Sequence, residues 1–274
     1  MACRHGCGKL KCAATGQPMT RLAAVTIALL FLPSAAAAAP PCPGNPDALG
    51  TARQLAIDAK TWPRVGRKQF PVTLPLAAKK LVLTFDDGPW PTTTPKVLDA
   101  LKHECVQATF FLLGRNIAAH PQIARRELAE GHSIGTHTYS HPLLSRLPSA
   151  KALAEVDRGI AAEEFALYGV RRSVPTSPFF RFPGFASTPA LLDELNRRGI
   201  VVFGADIWAS DWNPMTPERE LQLLLGRIDK AGRGIVLLHD TKAQTARMLP
   251  ALLRELKRRS YSIVHVVPAQ PHGS

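Results

Sequence analysis

Leu81-Val82-Leu83-Thr84-Phe85-Asp86-Asp87-Gly88-Pro89 decides how this chain is read. A short apolar run stops abruptly at two adjacent carboxylates and a Gly-Pro turn. Val82, Leu83 and Phe85 fit a strand of a parallel sheet, where both faces are covered and polar residues are absent. Gly88-Pro89 ends that strand, which puts Asp86 and Asp87 where a strand meets its loop. In α/β folds that edge is where ligands and catalytic groups gather. Neighbouring residues of an extended chain point to opposite sides, so two adjacent acids can do two jobs, one holding a cation and one taking a proton. On this stretch alone, an Asp-Asp-Gly-Pro turn with both acids solvated is an equal alternative.

The alternation continues outward from that strand. Helices are expected around Val97–Leu101, over Pro121–Ala129, from a Ser149 cap to Leu167, from Thr188-Pro189, from Thr216-Pro217-Glu218 and over Ala246–Arg258. Strands are expected at Ala108–Leu113, His132–Thr136, Phe179–Phe182, Ile200–Phe203, Gly234–Leu238 and Tyr261–Val267. About seven strands separated by helices make an α/β fold, either a parallel barrel or a doubly wound sheet. Polar residues at the ends of successive strands favour a barrel with one mouth: Asp86 and Asp87, His137, Arg181, Asp206 and Asp211, and His239. The Pro- and Gly-rich stretch ahead of residue 79 has no long periodic pattern and is expected to lie along the domain as an extended arm.

The chain of 274 residues has the 46% apolar content of a globular protein and a formal net charge of +13. Its basic residues are scattered, without a Lys/Arg run interleaved with aromatics, so nucleic acid is not an expected partner. Arg21, the apolar run Leu22–Leu32, Pro33-Ser34 and the alanines 35–39 have the order of a secretory signal: basic flank, short apolar core, small-residue cleavage site. Cleavage is expected after Ala37 or Ala38, with Met19 as an alternative start; an uncleaved anchor is the other reading, although the core is short for a full span. The expected organisation is a signal peptide over 1–38, the arm over 39–78, a catalytic domain over 79–268 and a tail over 269–274. The exported product has a periplasmic or secreted location and no stable membrane insertion. Cleavage removes Cys3, Cys7 and Cys12, and the remaining Cys42 and Cys105 are candidates to pair in an oxidising compartment.

His137-Thr138-Tyr139-Ser140-His141 carries two imidazoles four residues apart. On a helical turn they would face one way and share a metal ion. Alone this is a weak signal; beside Asp87 it forms a set of two His and one carboxylate that leaves positions open. Taken in order, Thr84-Phe85-Asp86-Asp87-Gly88-Pro89, His137 to His141, Arg181-Phe182-Pro183-Gly184, Asp211-Trp212 and Leu237-Leu238-His239 resemble the five motifs of the polysaccharide deacetylase family, carbohydrate esterase family 4. The resemblance implies a distorted (β/α)7 barrel and metal-dependent removal of N-acetyl or O-acetyl groups from sugars. It implies Asp86 as general base and Asp87, His137 and His141 as ligands of one divalent metal, zinc first, with cobalt or another divalent ion as alternatives. It further implies Arg181 as the partner that keeps Asp86 ionised, His239 as general acid and Asp211 as its orienting carboxylate. Trp212 and Leu237 would wall the acetyl pocket, and the Gly184 N–H would face the oxyanion. Trp90 is the aromatic best placed to stack on a sugar ring; Trp62 and Trp208 are alternatives, with core packing equally open for Trp208.

Two positions depart from the family pattern. Gly184-Phe185 reverses the usual aromatic-Gly order, and Trp208 stands two residues after Asp206 where an acid is common before Asp211-Trp212, so Asp206 is the weaker candidate of the two acids. The expected substrate is an N-acetylglucosamine glycan, chitooligosaccharide or peptidoglycan. The alternatives are an O-acetyl esterase on xylan or exopolysaccharide, a non-catalytic glycan-binding module, and an amidohydrolase for a small cyclic amide.

Overall fold

The structure, a computed structural model, describes residues 42–269. Its strands are β1 (Thr51–Ile57), β2 (Arg64–Val65), β3 (Lys80–Asp86), β4 (Thr109–Leu112), β5 (Ser133–Thr136), β6 (Phe179–Phe180), β7 (Val201–Phe203), β8 (Ile207–Trp208), β9 (Gly234–His239) and β10 (Ser262–Pro268). Its helices are α1 (Thr94–His103), α2 (Gly114–Ala119), α3 (Pro121–Ala129), α4 (Ser149–Tyr168), α5 (Pro189–Arg197), α6 (Pro217–Ala231) and α7 (Ala243–Arg258). The expected 1–38 signal, cleavage site and start lie outside the described residues, as do the last five residues of the expected tail.

Every ladder is parallel. The strands β9, β3, β4, β5, β6 and β7 lie side by side, and β8 flanks β9 on the far side. These seven form the barrel-like sheet expected from the sequence. Its seam falls after β7, which pairs with β2 rather than with β8. Asp206 stitches that seam. Its Oδ2 accepts from the Ile235 N–H at 2.8 Å and the Thr73 hydroxyl at 2.6 Å, and its Oδ1 accepts from the Arg67 N–H at 3.0 Å. Asp206 is therefore spent on backbone, which separates it from Asp211.

Residues 42–78 do more than lie along the surface. Within them β1 pairs with β10 and β2 with β7, and Leu74 and Leu76 join the interior cluster with Val65. Strands of two to seven residues with mixed burial leave almost no periodic trace, and their formation depends on edges supplied by distant strands. Cys42 is joined to Cys105, with Cα atoms 5.7 Å apart, fastening the start of this stretch to the end of α1.

The strand alternation sorts side chains into two layers. Leu81, Leu83 and Phe85 face the helices with Phe110, Leu112, Val236 and Leu238, and Val97, Leu98, Leu224, Ile228, Leu249, Leu252 and Leu253 close over them. Val82, Phe111, Ile235, Phe179 and Phe203 fill the interior. Burying a side chain of this size is worth roughly 1.5–3 kcal/mol. Helix starts follow sequence chemistry at Thr188 and Thr216, whose hydroxyls accept from the N–H groups of Leu191 and Arg219. Ser149 differs: Pro148 takes the cap position, and Ser149 is the first helical residue without a side-chain cap bond.

Two buried imidazoles sit away from the mouth. His132 Nδ1 accepts from the Ala108 N–H at 3.1 Å, and His265 Nε2 lies 2.9 Å from the Ser133 hydroxyl. Burial lowers the pKa of His132 to about 3 and of His265 to about 4. The unfolded chain binds these protons near the ordinary value of about 6.5 and the folded chain does not, so stability falls as pH drops below that value, by up to about 1.4 kcal/mol per pH unit for each group. In urea melts at pH 7 and pH 5, His132→Gln is expected to differ from wild type by the loss of this one contribution, so that acid costs the variant less stability, or stabilises it more, than it does wild type; an identical pH dependence in that variant would show that His132 contributes none.

Candidate active site

The register of the strands assembles the mouth. Asp86 of β3 lies opposite Phe111 of β4 and His239 of β9, and Thr136, the last residue of β5, pairs with Phe180 of β6. His137, Arg181 and His239 therefore arrive around Asp86 from three neighbouring strand ends.

Alternation places Asp86 inward, two residues beyond Thr84, and would place Asp87 outward among the helices. The structure departs from that expectation. Asp87 has φ +75°, a left-handed conformation uncommon for a residue with a side chain, and its carboxylate swings back over the mouth. Asn116 of α2 donates to the Asp87 carbonyl at 2.8 Å and fixes this turn. Gly88 has no room for a side chain, since a Cβ there would meet the Asp240 carboxylate.

The stretch 137–141 is not a helical turn. Thr138 and His141 both have φ near +70°, and besides one internal bond, from the His141 N–H to Thr138 Oγ1 at 3.1 Å, the loop is held by its neighbours. The Thr138 and Tyr139 carbonyls accept from the N–H groups of Gly114 and Arg115 at the start of α2, and the Tyr139 N–H donates to the Glu155 carbonyl in α4. Glu155 Oε2 accepts from the Ser140 N–H at 2.8 Å and from its hydroxyl at 2.9 Å. The two imidazoles still converge, with ring centroids 5.2 Å apart.

Asp87, His137 and His141 each offer a ligand atom, all within 4.8 Å of one another. Asp87 Oδ1 lies 3.6 Å from His137 Nε2 and 3.3 Å from His141 Nε2. It is buried without a hydrogen-bond partner. His137 Nδ1 lies 2.7 Å from the Arg181 carbonyl and donates its proton there, which leaves Nε2 with a free lone pair. Burial lowers the His137 pKa to about 3, so the ring is neutral and does not repel a cation. An orphaned carboxylate oxygen facing two imidazole nitrogens is a donor set that fits a divalent ion, and its remaining positions are open.

Asp86 occupies one flank of this set. Its Oδ1 accepts from the Arg181 guanidinium at 2.6 Å, while Oδ2 is 3.8 Å from His137 Nε2. Arg181 is fully buried. It also donates to Thr84 Oγ1 at 2.8 Å and to the carbonyls of Gly204 at 2.8 Å and Phe203 at 3.4 Å, and it lies over the Phe111 ring. Burial pushes the Asp86 carboxyl above its usual range, and Arg181 and His239 pull it back only in part. The expectation that Arg181 pairs with this acid holds, and its pull toward the ionised form is opposed by a larger effect of desolvation.

His239 occupies the other flank, with Nε2 3.9 Å from Asp87 Oδ2. Its Nδ1 is 2.8 Å from Asp211 Oδ1, and its backbone N–H donates to Asp211 Oδ2 at 2.7 Å. Burial opposes the charged ring, but the Asp211 hydrogen bond and the charges of Asp211, Asp86 and Asp87 outweigh it and raise the pKa to about 9. At neutral pH His239 is an imidazolium with a proton on Nε2 facing the mouth.

Leu237, two residues before His239, is buried, and Trp212 stands edge-on to His239 and half exposed. Trp90 is exposed just after the first loop. Gly184 adopts φ +57° in a short turn beside Leu143, where a Cβ would meet Leu143 Cδ2 at 2.8 Å. Trp208 is held between Lys68 and Arg227, and Trp62 packs against the interior cluster. Sequence reading missed Asn116, Glu155, Thr245 and Glu220. Each is an isolated polar residue on an element far in sequence from its partner, with no motif around it.

Parallel strands that end in this set make a barrel-like α/β fold whose mouth carries a donor set fit for one divalent ion. The polysaccharide deacetylase family model matches residues 74–203. Over 189 residues the chain is 34% identical to the peptidoglycan-N-acetylglucosamine deacetylase PgdA of Listeria monocytogenes, covering 69% of this chain and 38% of that one. It is 33% identical to the chitooligosaccharide deacetylase of Bradyrhizobium sp., covering 69% of this chain and 90% of the relative. Among solved structures, the Bdellovibrio bacteriovorus peptidoglycan deacetylase Bd3279 superposes with a TM-score of 0.70 at 33% identity, covering 80% of this chain and 59% of that chain. The chain belongs to the polysaccharide deacetylase family. It spans well under half the length of the Listeria relative.

Removing one partner of a buried ion pair strands the other charge, at a cost of about 3–5 kcal/mol. Arg181→Met is expected to destabilise the protein by that order in denaturant melts, and Arg181→Lys to recover only part of it because an ammonium cannot reach four acceptors in one plane. A loss below about 1 kcal/mol would show that Asp86 carries no buried charge.

Proposed function

We propose that the protein is an exported, metal-dependent deacetylase that hydrolyses the N-acetyl amide of N-acetylglucosamine-containing glycans, chitooligosaccharide or peptidoglycan, and releases acetate. The observation that carries this reading is the convergence on one mouth of the Asp87–His137–His141 set with a carboxylate flank at Asp86 and an imidazolium flank at His239. The relatives named for peptidoglycan and for chitooligosaccharide support the substrate class.

Asp87, His137 and His141 hold the divalent ion, with zinc favoured by two imidazoles, one carboxylate and open positions. When bound, such an ion polarises the amide carbonyl and lowers the pKa of water. Asp86, with Oδ1 fixed by Arg181, takes the proton from the attacking water on Oδ2. His239 delivers its Nε2 proton to the departing amine, and Asp211 fixes the ring so that this nitrogen faces the mouth. The Gly184 N–H is assigned to the oxyanion. Trp212 and Leu237 flank the acetyl methyl, and Trp90 offers an apolar face to a neighbouring sugar ring. The signal-like segment ahead of residue 39 and the Cys42–Cys105 bridge support export to an oxidising compartment.

The test is acetate release from chitooligosaccharides, purified peptidoglycan and acetylated xylan, with chelator and with added zinc. Release from the N-acetyl substrates that chelator abolishes and zinc restores is expected; binding without release from any of them would leave a glycan-binding module. Asp86→Asn is expected to keep one zinc per chain by metal analysis and to lose about 10²-fold or more in kcat. His141→Ala and Asp87→Ala are expected to lose the zinc itself.

A further inference from the structure

Behind Asp211 lies a second acid that the family motifs do not include. Thr245 of α7 places its hydroxyl oxygen 2.9 Å from Asp211 Oδ2 and 2.9 Å from Glu220 Oε1 of α6. Thr245, Asp211 and Glu220 are all buried. A hydroxyl has one hydrogen to give. It cannot donate to both carboxyl groups, so one of them must donate to it.

The surroundings decide which. Asp211 faces the His239 ring and backbone N–H, which supply two donors to its oxygens, so Asp211 is the ionised acid. Among the described residues no cation forms an ion pair with Glu220, and its Oε2 is buried without a hydrogen-bond partner. A bare carboxylate oxygen in that position costs far more than the carbonyl oxygen of a neutral acid. We propose that Glu220 is held as a neutral carboxylic acid that donates to Thr245 and thereby commits the Thr245 proton to Asp211, making Glu220 a positioning residue for His239. The chain of donors then runs in one direction, from Glu220 through Thr245 to Asp211, and meets His239 from the other side.

The charges that act on Glu220 agree with this. Burial and Asp211, from the loop after β8, raise its pKa to about 7, opposed by the Thr245 hydrogen bond and by His239 at the end of β9. Helix α7 presents to it the uncharged Thr245 hydroxyl. Once Glu220 ionises, a single hydroxyl proton stands between two carboxylates, and Asp211 loses the donor that steadies it. Turnover then declines as pH rises through the Glu220 value.

The functional arm of the test rests on the deacetylase reading above and compares four variants of the zinc-loaded protein. Gln at position 220 still donates an N–H to Thr245 and cannot ionise. Glu220→Gln is expected to retain at least about a third of wild-type kcat at pH 6 and to move the alkaline limb of kcat up by about one pH unit. Glu220→Leu and Thr245→Val are expected to lose about 10–100-fold in kcat with little change in KM, and Thr245→Ser to restore most of the loss. Melting curves identify any variant that fails to fold. A Gln variant as impaired as the Leu variant, or a Leu variant as active as wild type, would overturn the proposal. A second arm needs no substrate: the Glu220 carboxyl carbon, assigned by its absence in Glu220→Gln, is expected to titrate near pH 7 in ¹³C spectra. Titration in the ordinary carboxylate range would overturn the proposal. Absence of acetate release by wild type would instead strike the deacetylase reading and leave the titration to decide this one.

Discussion

Arg181 is a full positive charge without solvent exposure, set between the first strand of the barrel and the turn that follows β7. Its donors reach the side chains of Thr84 and Asp86 on β3 and the carbonyls of Phe203 and Gly204. An isolated buried charge is prohibitively costly, and only a matched anion with further hydrogen bonds makes it tolerable. The rest of the site inherits that constraint. Asp86 must stay at the end of β3 to meet the guanidinium, and the Arg181 backbone carbonyl must stay where it orients His137. The partner that neutralises the arginine is the acid that the proposed function makes the general base, and the carbonyl of the same arginine leaves free the His137 nitrogen that faces Asp87. A requirement of folding and a requirement of chemistry are met by one residue.

The mouth also shows how strand periodicity is used and then broken. Thr84 and Asp86, Phe111, and Leu237 and His239 point inward by simple alternation from adjacent strands in register. Asp87 reaches the same space only through its left-handed backbone, held by Asn116. The 137–141 loop needs two more such residues, held by α2 and α4. Strain of this kind persists when surrounding structure over-determines it. Here the helices outside the barrel supply the determination, while the strands supply the direction.

Much of this was readable from the chain alone. The apolar run ending at Asp86-Asp87 gave β3 and the two acids at its mouth end, because a buried parallel strand has a composition that few other elements share. The helix starts at Thr188 and Thr216 were visible because a capping hydroxyl and a following proline act locally. The strand β1 was invisible: exposed and half-buried residues alternate poorly there, and its partner lies at the other end of the chain. The convergence of His137 and His141 was anticipated, but on a helical turn that does not form, since its carbonyls are claimed by α2. Thr245 and Glu220 carried no signal, because a relay of single polar residues from separate helices exists only after those helices pack.

The parallel pairing of β1 with β10 has a consequence for how the molecule comes into being. Thr51 meets Ile263, and Ile57 meets Pro268, so the earliest strand of the domain borders the last one to be synthesised. Contacts between such distant residues form late, after the loop between them has been closed by other structure. The segment that leads the chain into the domain must therefore wait at the edge of an unfinished sheet until the carboxyl-terminal strand is laid down. A domain cut before β10 would leave β1 without its partner strand and the Lys80–Leu81 end of β3 paired only with β9, so the outermost ladder closes only when both ends of the domain are present.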